Sequence, residues 1–193
     1  MNQSLSKETV KNMILDAGYV YINYKEDNER PLGATSGGNS FAVEKEYRFP
    51  KIDNVRGKMK GLSRIMVHNA SLTVNLKEMS PQNILLALGG GDIEEGDLDH
   101  YEINPSNIVK DSDYLDNITL VAPLSAGNGK WVEIILYNAL SDGDSLELNL
   151  EDENEGILPI QFSAHYDPDD LNKVPYQIRY PKLDNGENGG EEE

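Results

Sequence analysis

The sequence predicts a mainly β protein: a β-sandwich or barrel with one or two short flanking helices and a long exposed loop between two of its strands. Three observations point there. Apolar and polar residues alternate with period two in several stretches, as half-buried strands require. Those stretches are rich in β-branched and aromatic residues. Only two segments have helical spacing or helix caps, and both are short.

Residues 7–15 put Val10, Met13 and Ile14 on one helical face and predict a short helix. Residues 17–24, "AGYVYINY", read as a strand. Residues 25–39 form a polar connection containing Gly33, Gly37 and Gly38. A phosphate-cradling loop would need a strand before it and a helix after it, with Gly-Lys-Ser/Thr or Gly-x-Gly-x-x-Gly between. Neither motif is present, and a strand follows instead. In residues 40–49, Phe41, Val43, Lys45, Tyr47 and Phe49 alternate with Ala42, Glu44, Glu46 and Arg48. The glycines are therefore read as positive-φ or flexible backbone in a loop before that strand.

Residues 50–61 lack strand or helix periodicity and predict the long exposed loop. Residues 63–76 predict a long strand, with Met66, Ala70, Leu72, Val74 and Leu76 on one parity and Asn69, Ser71, Thr73 and Asn75 on the other. Residues 80–88 predict a helix with Ser80 as N-cap, Pro81 at its first position, Gly89 at its end, and Ile84, Leu85 and Leu88 on its apolar face. Residues 89–116 are acidic and read as loop-rich, with a strand near Tyr101.

"DNITLVAPL" is a strand ended by Pro123, and "KWVEIILYNAL" is apolar enough to be central. "SDGD" is a turn, after which Leu146, Leu148 and Leu150 alternate with polar residues. "ILPIQFSAHYD" alternates again, and "VPYQIRYP" closes the ordered chain. Residues 1–183 thus form a single domain, and residues 184–193, "DNGENGGEEE", an acidic tail expected to be disordered.

A chain of 193 residues is long enough for one domain with a core. No apolar run reaches membrane-spanning length, and the polar opening from Met1 to Ser6 predicts no signal peptide. The absence of cysteine excludes disulfides, thiolate metal sites and a cysteine nucleophile. The net charge is −17, unevenly spread. Residues 45–64 hold seven of the 17 basic residues and two acids, a net of +5, which leaves −22 for the rest. So acidic a surface argues against nucleic acid as a tightly held ligand. The basic segment could dock on an acidic face of another copy; the plainer reading is a solvated loop.

Chemistry finds little support. His68, His100 and His165 show no metal-ligand spacing. Asp92, Glu94, Glu95, Asp97 and Asp99 are hard oxygen donors that suit calcium, with Asp92, Glu94 and Asp97 the candidate ligands. The EF-hand pattern fails, because its sixth position is Asp97 and not glycine. Gly-x-Ser-x-Gly is absent, and the Asp167–Asp170 stretch "DPDD" reads more simply as a turn than as paired catalytic carboxylates. A β-sandwich module that binds carbohydrate or calcium is the alternative reading.

Four stretches in order, "LDAGYVYINY", "ERPLGATSGGNSFAVEKEYR", "GKMKGLSRIMVHNASLTVNLKEMSPQNILLAL" and "ILPIQFSAHYDPDDLNKVPYQIRYP", resemble the major tail (tail tube) protein of long-tailed bacteriophages and related prophages. The likeness runs from about Leu15 to Pro181. It implies a non-enzymatic, cofactor-free virion protein, assembled in the host cytoplasm into rings of six that stack as a tube. Strands of neighbouring subunits would line the channel through which DNA passes transiently. Other partners would be the tape measure protein, the tail terminator and the distal tail or baseplate proteins. The loop at residues 50–61 would reach the next ring, with Lys51, Arg56, Lys58 and Lys60 making the contact. Glu44, Glu46, Thr73 and Asn75 would face the channel. The acidic stretch at residues 89–100 and the acidic tail are where this chain departs as its own variant.

Overall fold

The structure, a computed structural model, describes residues 6–97, 99–127, 129–143, 146–148, 150 and 155–183. The predicted acidic tail lies outside these residues. The chain order is α1 (Lys7–Lys11), β1 (Tyr19–Ile22), β2 (Arg30–Pro31), β3 (Thr35–Arg48), β4 (Arg64–Leu76), α2 (Pro81–Ala87), β5 (Gly91–Glu95), β6 (Tyr101–Pro105), a 3-10 turn (Asp111–Asp113), β7 (Leu115–Pro123), β8 (Trp131–Ser141), β9 (Leu158–Ala164) and β10 (Tyr176–Arg179). The fold is mainly β and sandwich-like, as the alternation predicts.

One antiparallel sheet runs β2-β1-β7-β8-β9-β4-β3, with β10 added on β8. β7 pairs with β8 from Leu115↔Ala139 to Pro123↔Trp131 and fills one edge. The other edge is shared. β10 pairs with residues 133–136 of β8, and β9 pairs with residues 139–141. The handover falls at Tyr137, whose N–H donates to the Pro175 carbonyl (2.8 Å) and whose carbonyl accepts from the His165 N–H (3.2 Å). Asn138 follows with φ 47°, a left-handed conformation that Asn tolerates, and its side-chain amide donates to the His165 carbonyl (3.2 Å). The sheet turns here and folds over itself. Leu72, Val74, Leu76, Ile160 and Phe162 from one half then pack with Val20, Ile22, Ile118, Leu120 and Leu136 from the other in one core. β8 is the central strand that its apolar run predicts.

Several elements differ from the sequence expectation, each for a local reason. α1 stops at Lys11 because the next residues join the sheet: the Met13 carbonyl accepts from the Ser125 N–H (2.8 Å), and Ile14 bridges Leu124. β1 starts only after Gly18, whose φ of +77° and closeness to the Val121 carbonyl leave no room for a Cβ. Gly37 and Gly38 lie inside β3, not in a loop before it. β3 advances from Thr35 to Asn39 while β4 advances only from Leu76 to Val74, so the glycines form a bulge at φ +80° and +86°.

α2 has the predicted Ser80 cap and Pro81 start, but it buries Asn83 and Ala87 while Leu88 is exposed. The inward position goes to an amide because Asn83 donates to the Leu32 and Glu78 carbonyls (2.9 and 3.1 Å) and accepts from Arg30 (3.2 Å). The acidic region holds the strand expected near Tyr101 as β6, but β5 pairs with it to form a separate hairpin that the sequence expectation lacks. The alternation of Leu146, Leu148 and Leu150 yields no strand among the described residues, and the three side chains are exposed.

The outer face of the β7–β8 half has its own polar anchor. Glu133 is 6 % exposed and accepts from Lys25 (2.7 Å), Trp131 (3.2 Å) and Tyr24 (3.4 Å), with Arg179 at 3.5 Å. Burial pushes its carboxyl up, but the hydrogen bonds of Lys25 and Trp131 and the charges of Lys25 and Arg179 outweigh burial and hold it below the ordinary 4.5. Tyr24, raised by burial and then by the Glu133 charge, remains a donor. A depressed carboxyl stabilises the fold fully above its unfolded value, and this contribution fades as pH falls through the folded value. Glu133→Gln is therefore expected to cost about 1–3 kcal/mol at pH 7. It should also shrink the loss of stability on acidification, read by melting curves between pH 7 and pH 3 with Trp131 fluorescence.

Candidate functional site

β9 supports β4 only from Ser71 to Leu76. Before Ser71, β4 is held by β3 alone, and β3 is the last strand of the sheet. From Val43↔Ala70 outward the two strands continue as a two-stranded ribbon, its root still held to the body by the buried Ala70 and by His68 against Tyr176, and its outward edges without a sheet partner among the described residues. Such edges are templates for another chain. A bulge shifts the register between Glu46↔Val67 and Tyr47↔Ile65 and turns the ribbon's end. Residues 49–63, with neither helix nor strand, form its tip, as the sequence predicts.

Lys51, Arg56, Lys58 and Lys60 all lie exposed on this tip, and none has a carboxylate partner among the described residues. Lys58 instead covers the Phe49 ring at 4.1 Å, and Phe49 stacks with Tyr47 at 6.0 Å. The arm also displays apolar side chains: Tyr47, Phe49, Ile52, Val55, Met59, Leu62, Ile65 and Met66 are each at least 36 % exposed. Exposed apolar side chains gathered on one arm are a feature common to interaction surfaces. Sequence reading missed the set because Tyr47, Phe49 and Met66 read as members of strand faces while Ile52, Val55, Met59 and Leu62 follow no period in the loop; the visible signal is an apolar residue repeatedly set among lysines and arginines.

Residues paired across an antiparallel ladder share a face. Ser40↔Thr73, Ala42↔Ser71, Glu44↔Asn69 and Glu46↔Val67 therefore form one surface, with Asn75 on the same parity. Gln161 and Ser163 of β9 extend it. Glu44, Glu46, Thr73 and Asn75 thus share one polar face, opposite the buried Ala70, Leu72 and Val74. Glu44 and Glu46 are exposed, whereas Thr73 and Asn75 are half-buried and Asn75 donates to the Gly38 carbonyl (3.1 Å).

The other sequence candidates are dispersed. Asp92 and Glu94 project from β5, Asp97 sits in the hairpin turn, and Asp92 pairs with Lys110 at 3.4 Å. No three acidic or histidine side chains converge among the described residues. His68 meets the Tyr176 hydroxyl (3.4 Å), and His165 lies between the Asn138 carbonyl (3.1 Å) and Asp142 (3.4 Å). Asp167 accepts from the Asp169 N–H (2.9 Å) and holds a turn. Comparison with protein-family profiles and with curated proteins gave no match.

The tip contributes no side chain to the core. Replacing residues 50–61 with an Asn-Gly turn is expected to leave stability within about 0.5 kcal/mol, since surface changes away from packing and buried polar groups rarely exceed that. Chemical denaturation of the shortened protein checks this.

Proposed function

We propose that this chain is a structural, self-assembling tail tube protein of a long-tailed bacteriophage or related prophage, built from rings of six copies that stack around a DNA channel. One observation supports the reading above all: a basic, apolar-tipped arm with unpaired edges leaves the sheet on the same strands that carry the polar face of Glu44, Glu46, Thr73 and Asn75. The arm suits a contact with another copy, because its +5 segment has a −22 body to meet. A heterologous contact of this kind propagates instead of closing on itself. The polar face suits a water-filled channel, and its open carboxylates would repel DNA phosphates, so that DNA slides without sticking. In this reading the protein works in the virion tail beside the tape measure, terminator and distal tail proteins, and needs no cofactor.

Reversing charge at the tip in R56E/K58E/K60E is expected to leave melting unchanged and to stop elongation, seen as short rings or free subunits by electron microscopy. Tubes of normal length from this variant would sink the assignment of the arm to ring stacking.

A further inference from the structure

The β5–β6 hairpin pairs Ile93 with Ile103 on its half-buried face. Its opposite face presents Asp92, Glu94, Glu102 and Asn104, all exposed. Residues 91–105 contain six acids and no lysine or arginine. The register sets Glu94 directly across from Glu102. Like charges in that position destabilise a hairpin.

The arm repeats this arrangement with the sign reversed. Arg48 stands directly across from Arg64, both exposed, just beyond the bulge that turns the ribbon. No ion pair among the described residues engages Arg48, Arg64, Glu94 or Glu102, and none joins the two hairpins within one subunit. Each pair is a cost to the free subunit that an opposite pair would relieve. Cross-strand neighbours are about 4.5–5.5 Å apart in either hairpin, so two such pairs have matching spacing.

We infer that the Arg48–Arg64 pair of one copy docks on the Glu94–Glu102 pair of the next copy. The inference rests on the self-assembly reading above and names the surface that receives the arm. The occupant is a second copy because this chain itself supplies the complementary pair in the same hairpin geometry. Duplex DNA could meet the two arginines, but that would give the acidic face no role.

Two variants test the contact, R48E/R64E and E94R/E102R, each first checked for native circular dichroism and melting. Self-association is measured by sedimentation at low salt. Each variant alone is expected to lose at least tenfold in association constant. Mixed one to one, they are expected to associate again, because reversed arms meet reversed hairpins and native arms meet native hairpins. If a reversed variant does not fold, R48Q/R64Q and E94Q/E102Q replace it, and each should lose several-fold. Association of R48E/R64E at the wild-type level, or a mixture that stays apart while the wild type associates, overturns the contact. So does tight binding of a duplex oligonucleotide by the arm with no effect of hairpin reversal. Tubes that ignore the charge swap would refute this contact and spare the tube reading. Non-tubular assemblies that obey the swap would do the reverse.

Discussion

The shared edge of β8 is the constraint from which the fold follows. One strand cannot hold two neighbours at the same point, so β10 and β9 take successive stretches, with the handover at Tyr137 and the left-handed Asn138 beside it. The turn in the sheet that results brings Leu72, Val74 and Phe162 against Ile118 and Leu136. The same geometry makes the arm. β9 ends at Ala164, so β4 has no second partner before Ser71, and the long β3–β4 pair runs on past the body. The surface proposed for assembly is what remains of two long strands once the core has used their inner ends.

Much of this was legible in the sequence. Period-two alternation marked β3, β4 and β9, and largely apolar runs marked β7 and β8, which lie centrally in the sheet. The Ser80–Pro81 start of α2 was legible because capping is local chemistry. What was not legible depended on tertiary partners. The sheet takes Met13 and Ile14 away from α1, and Asn83 displaces leucine from the inner face of α2 through bonds to Leu32, Glu78 and Arg30. Gly37 and Gly38 read as a loop because a bulge inside a strand has the same composition as a turn. Of the site, the alternating polar faces were legible. The oppositions Arg48↔Arg64 and Glu94↔Glu102 were not, since register is set by pairing and not by periodicity.

Charge does two different jobs here. Glu133 is buried and met by Lys25, Arg179 and two neutral donors, so it ties the turn after β1 to β8 and β10. Among the described residues, Lys51, Arg56, Lys58 and Lys60 of the arm and Glu94 and Glu102 of β5–β6 have no such partners, while Asp92 meets Lys110. Exposed charges are screened within about 8 Å at physiological salt, whereas the apolar side chains of the arm are not. In the proposed assembly, an arm with both kinds of group would be steered by charge at low salt and held by apolar burial on contact.

The most direct test of the central claim is electron microscopy of the purified wild-type protein, dilute and then concentrated, at low and moderate salt. Rings or hollow tubes with a single central channel are expected, forming more readily at low salt. Particles that remain separate subunits across the whole range, or that aggregate without a channel, would contradict the claim.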